Sequence, residues 1–62
     1  MVAIGDVVQV RITGMTTKGT GWGLVDNLPV LVPYSAVGGT YIVEIVEVHK
    51  EFAVGRAVKR LF

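Results

Sequence analysis

The 62-residue sequence contains no cysteine, one histidine, one tryptophan and two prolines. Without cysteine it can form no disulfide, no thiolate zinc site and no cysteine nucleophile. The single histidine, His49, has no second histidine or cysteine with which to share a metal ion, so no metal site is predicted. No apolar stretch approaches the roughly 18 residues that a membrane span requires. We therefore expect a cytoplasmic protein without a membrane segment.

The short length and the modest charge exclude further classes. A chain this short buries only about 60% of the surface that its unfolded form exposes, which leaves little room for a deep cleft. Its composition, 52% hydrophobic and 18% charged, lies outside the range of disordered chains. A formal net charge of +1 does not by itself indicate a nucleic-acid or membrane partner. We expect one folded domain, residues 1–62, whose function lies on its surface.

Sequence patterns of catalysis are missing. Ser35, His49 and Asp26 could be written as a nucleophilic triad, but no GxSxG motif or comparable frame surrounds the serine. The glycines of residues 19–23 lack the GxGxxG spacing and open no helix, and there is no P-loop. The sequence therefore predicts a protein that is not an enzyme and that carries no cofactor.

The pattern of apolar residues indicates an all-β fold. Eight glycines and two prolines divide the chain into short apolar stretches, none with the spacing of an amphipathic helix. Residues 14–21 have the composition of an exposed loop, residues 26–29 that of a hairpin turn, and residues 34–39 leave room for at most one helical turn. The predicted strands cover residues 6–13, 22–25, 30–32, 40–49 and 52–62.

Details of these strands point to a small closed sheet. In the first strand Val8, Val10 and Ile12 alternate with polar residues, as in a strand with one buried face. The alternation over residues 40–49 is imperfect, which indicates either partial burial on both faces or a bulge that switches the phase. In the last strand Ala53, Gly55 and Ala57 place small residues on one face. We expect a five-stranded closed or partly open barrel of the oligonucleotide-binding (OB) type, with an SH3-like barrel as the alternative.

One segment combines an aromatic ring with a cation. Lys18 and Trp22 lie among glycines in the stretch KGTGWG, and such pairs bind single-stranded nucleic acid by base stacking and phosphate contact. The alternative is that Trp22 fills the core. In an OB barrel the first and fourth loops flank the face of strands two and three, so Lys18, Trp22 and Lys50 would surround one surface. His49 lies in the same loop as Lys50, and Arg11 lies on the solvated side of the first strand. Three more cations either extend this surface along the last strand or are only solvated charges: Arg56, Lys59 and Arg60.

Over residues 5–58 the sequence resembles the TRAM domain, a small β-barrel RNA-binding module found attached to RNA-modifying enzymes and as free-standing archaeal proteins. The resemblance depends on the order and spacing of several motifs. They are GDVVQV at residues 5–10, KGxGxG at 18–23, VD at 25–26, VLVPY at 30–34, VEIxEV at 43–48 and FA at 52–53. The KGTGWG stretch also resembles the KGFGF motif of cold-shock domains.

The sequence departs from the family at three points. Residues 37–39 read VGG where the family usually has a proline-glycine-acidic turn. Leu28 and Leu31 stand where many members have phenylalanine, whereas Trp22 takes a position that is commonly aliphatic, so stacking would move to the second strand. The density of Lys and Arg is lower than in many members. The resemblance implies a module that binds single-stranded RNA without hydrolysing ATP.

We therefore interpret the chain as a non-enzymatic RNA-binding barrel, an RNA chaperone or a module for tRNA or rRNA, monomeric and with weak sequence preference. An RNA-delivering domain of an RNA-modifying enzyme is a variant of this hypothesis. The alternative is a protein-interaction or ribonucleoprotein assembly module, for example on the ribosome, with little affinity for isolated RNA. The predicted RNA-binding residues are Arg11, Lys18, Trp22, Tyr34, His49, Lys50 and Arg56.

Overall fold

The computed structural model describes residues 2–62, which form one six-stranded sheet curled into a barrel. The strands are β1 (Val7–Arg11), β2 (Gly14–Met15), β3 (Gly21–Val25), β4 (Leu28–Val32), β5 (Thr40–Val48) and β6 (Ala53–Arg60). Met1, the first residue of the predicted domain, lies outside the described residues. Within residues 2–62 no helix is long and apolar enough to span a membrane. The predicted all-β class is confirmed.

The barrel closes through a bent first strand, of which β1 and β2 are the two halves. β1 pairs with β5, whereas β2 pairs with β3 and places Gly14 opposite Trp22. Between the halves, the N–H of Thr13 donates to the carbonyl of Trp22 at 2.9 Å. Gly23 lies so close to the carbonyl of Arg11 that a Cβ at this position would collide with it. The absence of a side chain at Gly23 therefore lets the first and third strands approach.

The strand order identifies the type of barrel. The order across the sheet is β1-β5-β6-β4-β3-β2, with β4 and β6 parallel and the other pairs antiparallel. When β1 and β2 count as one strand, five strands remain, and the first lies beside both the second and the fourth. This order agrees with the predicted five-stranded, closed or partly open OB-like barrel. The prediction that residues 14–21 are entirely loop is wrong, because Gly14–Met15 pairs with β3.

The interior consists mainly of β-branched side chains from alternate strand positions. Val10 and Ile12 are fully buried, as the alternation in the first strand predicts. Ala53 is also fully buried, and a Cβ on the neighbouring Gly55 would collide with the side chain of Val43. The small residues of the last strand therefore make room for larger partners, as predicted. The largest fully buried side chains are Ile12, Ile45, Val10, Val30, Val32 and Val43.

The long strand β5 changes phase at a bulge. Its first half directs Tyr41, Val43 and Ile45 into the core. The register with β6 shifts between Ile45 and Glu47, which leaves Val46 without a partner, and residues 46–48 are all exposed. Of the two predicted explanations for the imperfect alternation, the bulge is present. Because the second half of β5 leaves the core, its apolar residues lie on the outer surface.

A two-residue turn joins β3 to β4. Asp26 and Asn27 both have left-handed backbones, with φ of 51° and 67°. Two successive positive φ angles match the twist of a tight antiparallel hairpin, and Asp and Asn tolerate them better than most residues. The turn is shorter than the predicted one, because Leu28 and Pro29 already belong to β4.

Candidate nucleic-acid interface

Trp22 lies on the outer face of the barrel, where its ring rests on a glycine. The core-facing residues of β3 are Gly21 and Gly23, so Trp22 between them points outward, and it is half-buried. A Cβ on Gly14, directly across from it, would lie 2.6–2.7 Å from three atoms of the indole ring. The ring therefore covers the bare backbone of Gly14. Of the two possibilities that the sequence left open, the core position is excluded.

The outer row continues from Trp22 across two further strands. Trp22 pairs with Leu31 on β4, and Leu31 pairs with Val54 on β6. All three side chains are half-buried. Because neighbouring strands lie about 4.8 Å apart, Trp22 and Val54 are about 10 Å apart along this row. The result is an apolar strip with the tryptophan ring at one end.

Tyr34 stands beside this strip, on the turn that follows β4. Its side chain is completely exposed, with a relative accessibility of 102%, and its backbone is left-handed with φ of 62°. The turn is held firmly. The buried Ser35 hydroxyl donates to the carbonyl of Val32 at 2.6 Å, and the N–H of Ala36 donates to the hydroxyl of Tyr41 at 2.9 Å. The turn thus holds the backbone of Tyr34 in a conformation that non-glycine residues rarely adopt, and the aromatic ring of this residue is exposed.

A groove opens between β4 and β6 next to Tyr34. The two strands pair only at Val30–Leu31 with Ala53–Val54. Beyond these pairs the groove has a volume of about 470 Å³, within the usual range of small-molecule sites. Its lining includes Pro33, Tyr34, Val46, Val54 and Arg56. The groove is mainly apolar, with an aromatic ring and a guanidinium group among its lining residues.

Lys18 lies at the same end of the barrel as Tyr34. Gly21 pairs with Val32, so the loop before β3 lies beside the turn after β4, and a Cβ on Gly21 would collide with the hydroxyl of Ser35. The loop is closed by hydrogen bonds of its own. Two backbone hydrogen bonds join Thr16 to Gly19 and Thr20, and the Thr16 hydroxyl accepts a third from the N–H of Thr20. Lys18 is exposed at the tip of a short, closed loop.

His49 and Lys50 lie at the opposite end of the barrel. They follow β5 and precede Ala53, which pairs with Val30, so their loop lies towards the start of β4. The His49 ring stacks on Phe52 with centroids 4.4 Å apart, and its Nε2 lies 3.0 Å from a carboxylate oxygen of Glu47. Lys50, which follows His49 and precedes Glu51 in the sequence, is exposed. His49 is therefore already engaged by neighbours on its own hairpin.

The two predicted arginines have different surroundings. Arg56 lines the groove, but its guanidinium donates to the carboxylate of Glu44 at 2.7 Å. Arg11 lies on the outer side of β1, opposite Thr40 of β5, and makes no ion pair within residues 2–62. Of the predicted residues, Lys18, Trp22, Tyr34 and Arg56 surround the strip and the groove. Arg11, His49 and Lys50 lie elsewhere, and the role of all seven in RNA binding stays a prediction.

Sequence reasoning missed the parts of this surface that carry no charge or aromatic ring. Leu31 and Val54 complete the strip, and their placement depends on the parallel register of β4 and β6. The ring of Trp22 packs on Gly14. The sequence places Gly14 in a polar loop and does not indicate this contact. Among residues 2–62 no three His, Asp or Glu side chains gather closely enough to hold a metal ion.

Comparisons with known proteins found a family model and two relatives that match this chain. Residues 2–58 match the family model of the TRAM domain. The chain is 43% identical over 60 residues to an uncharacterized RNA methyltransferase of Caldanaerobacter subterraneus subsp. tengcongensis, covering 97% of this chain and 13% of that protein. It is 42% identical over 45 residues to an uncharacterized RNA methyltransferase of Clostridium tetani, covering 73% of this chain and 10% of that protein. The chain thus spans only a small part of these relatives.

A solved structure shares the fold closely. The solution structure of a conserved protein of Methanococcus maripaludis superimposes with a TM-score of 0.86 at 30% identity. The match covers 92% of this chain and 81% of that one. The same barrel therefore occurs in a chain of similar size.

Proposed function

The chain belongs to the TRAM family, and we propose that it is a non-catalytic module that holds single-stranded RNA on the face around Trp22 and Tyr34. The TRAM domain is an RNA-binding module found in RNA methyltransferases. Aromatic faces bind RNA by stacking on unpaired bases, and this mode tolerates any base. Sequence preference is accordingly weak, as an RNA chaperone or a module for tRNA or rRNA requires.

The observation that carries this proposal is the exposure of Tyr34 at a left-handed backbone. A strained residue with a fully solvated side chain contributes nothing to packing, and such residues concentrate at functional sites. Its neighbours supply the rest of a stacking site. Trp22 offers a half-covered ring, and the groove beside Tyr34 is mainly apolar. Lys18 provides a cation at the same end, within reach of a phosphate on the bound strand.

A titration with single-stranded RNA tests the proposal. Bases that stack on Trp22 should quench its fluorescence, and Trp22→Leu should weaken binding of a labelled oligonucleotide by about 5- to 150-fold, which corresponds to about 1–3 kcal/mol per stacked base. Val7→Ala is the matched control, because Val7 is an exposed apolar residue of β1. With about three phosphate contacts, log affinity should fall with log salt at a slope near −2. Absence of both quenching and salt dependence would contradict the proposal.

A second function, docking on a protein partner, is favoured by exposed aliphatic residues at the Lys50 end. Ile4, Val7, Val46 and Val48 are 40–69% exposed, and the N–H of Gly5 donates to the carbonyl of Ile45, which brings the first residues beside β5. A ribonucleoprotein or the catalytic part of an RNA-modifying enzyme would be such a partner. Replacing Lys18, which lies at the same end of the barrel as Tyr34 and away from these aliphatic residues, by glutamate separates the two functions. RNA binding should collapse, whereas an apolar protein contact should survive.

A further inference from the structure

The two ends of the barrel carry charges of opposite sign. The strand directions define two ends of the barrel. At one end β1, β4 and β6 finish and β3 and β5 begin, and we call this the basic end. Within residues 2–62 this end holds four cationic side chains and no Asp or Glu. The other, acidic end holds four carboxylates and Lys50. The basic end carries Arg11, Lys18, Lys59 and Arg60, and the acidic end carries Asp6, Asp26, Glu47 and Glu51.

The ion pair between Glu44 and Arg56 does not change this difference between the ends. The charged pair between the ends, Glu44 and Arg56, is joined at 2.7 Å and contributes no net charge. The barrel measures 24 × 23 × 17 Å, whereas the Debye length at physiological salt is about 8 Å. Carboxylates at the acidic end are therefore largely screened from a phosphate at the basic end.

Two of the cations face solvent on the outer surface formed by β1, β5 and β6. Arg11 lies opposite Thr40, and Lys59 lies opposite Ile42, on the outer face of β1, β5 and β6. Their strands lie on either side of β5, two strand spacings apart, and their partners on β5 are two residues apart. The Cα atoms of Arg11 and Lys59 are therefore about 12 Å apart. Neither makes an ion pair within the described part of the chain. Their charges are available to an external anion.

Arg60 connects this side to the turn that carries Tyr34. Its Nε donates to the carbonyl of Phe62 at 2.7 Å, and its guanidinium carbon lies 5.6 Å from the centre of the Tyr41 ring. The hydroxyl of Tyr41 in turn accepts the N–H of Ala36, two residues after Tyr34. The aromatic face and the basic side are therefore contiguous around one end of the barrel.

We propose that RNA bound on the aromatic face continues around the basic end, where Arg11, Lys59 and Arg60 bind its phosphates. This inference rests on the proposed RNA-binding function and adds to it a second contact surface and a path. Arginine and lysine side chains on an exposed sheet suit phosphate contacts, which add affinity without sequence preference. The acidic end repels the strand and limits the path on the other side.

A length series of oligonucleotides tests the path. The double variant Lys59→Gln with Arg60→Gln should lose about 4- to 100-fold affinity for an RNA of about 16 nucleotides, on the basis of about 2- to 10-fold for each solvent-exposed hydrogen bond to a phosphate. Its salt slope should be shallower by about 1.4. Binding of an RNA of about four nucleotides, which fills only the aromatic face, should not change.

Three controls keep the outcomes distinct. Lys50→Gln, at the acidic end, should change affinity for the long RNA by less than about twofold, and Arg60→Lys should retain most of it. Lys59 is exposed and makes no ion pair within residues 2–62, so Lys59→Gln tests the phosphate contact without breaking one inside the fold. It should lose about 2- to 10-fold in affinity. Unchanged affinity of the double variant for the long RNA, while wild type binds both RNAs, would overturn the path alone. Failure of wild type to bind either RNA would overturn the proposed function and the path together.

Discussion

Replacing Tyr34 by asparagine should weaken RNA binding and leave the fold as stable as before or slightly more stable. The Tyr34 side chain is completely exposed, so its removal costs no packing. Its φ of 62° lies in the left-handed region, which costs most non-glycine residues about 1–2 kcal/mol, and asparagine adopts this region more easily than tyrosine. The free energy of unfolding should therefore stay constant or rise by up to about 1 kcal/mol.

The RNA affinity of the same variant should move in the opposite direction. If Tyr34 stacks on one base, its loss costs about 1–3 kcal/mol, which is about 5- to 150-fold in the dissociation constant. Fluorescence anisotropy of a labelled single-stranded RNA measures the affinity, and thermal unfolding followed by circular dichroism measures the stability. A gain of 1 kcal/mol in a domain of this size raises Tm by about 4–8 °C.

The matched control is Tyr34→Phe, which keeps an aromatic ring and places it on the same left-handed backbone. Both its affinity and its Tm should stay close to wild type. Wild-type affinity of Tyr34→Asn would refute the stacking role. A drop in its Tm of several degrees would refute the reasoning about strain, because it would mean that the ring contributes to the fold.

Three further substitutions test other parts of the structure. Gly14→Ala places a Cβ 2.6 Å from the Trp22 ring, so the ring must lift by about 1 Å to restore van der Waals contact; the emission of Trp22 should shift and RNA binding should weaken, and an unchanged spectrum would contradict the ring position. Ile45→Ala removes most of a fully buried side chain. It should lower the free energy of unfolding by about 2–5 kcal/mol, out of the roughly 3–9 kcal/mol expected for the domain. Urea unfolding measures this loss, and the milder Ile45→Val should lose about 1 kcal/mol. Ser35→Ala removes the hydroxyl that donates to the buried Val32 carbonyl at 2.6 Å and should cost about 1–3 kcal/mol in the same assay; a smaller loss would mean that the turn is held elsewhere.

Much of the fold was predictable because local patterns and the tertiary structure agree. The alternation of Val10 and Ile12, the bulge near Val46 and the small residues Ala53 and Gly55 all follow from side-chain size and polarity along an extended chain. Met15 illustrates the limit. Its segment has the composition of a loop, and it becomes a strand only because the first strand bends and meets β3.

The sequence indicated candidate residues for the site but not how the strand register places them. Whether Trp22 points outward depends on which residues of β3 and β4 pair, and that pairing places Gly21 and Gly23 against the core. Arg56 and Glu44 are 12 residues apart in sequence, so their ion pair depends on the β5–β6 register. The residues around Tyr34 in the sequence do not indicate that its backbone has a positive φ.

The low net charge illustrates how placement can matter more than the sum. A charge of +1 and a modest density of Lys and Arg argue against tight RNA binding if the charges are spread evenly. Here four of the six Lys and Arg residues lie at one end, and screening over about 8 Å makes the phosphates respond to the local density rather than to the total. A domain can therefore stay nearly neutral overall, which limits nonspecific attraction to distant polyanions, and still present a basic surface where the aromatic face ends.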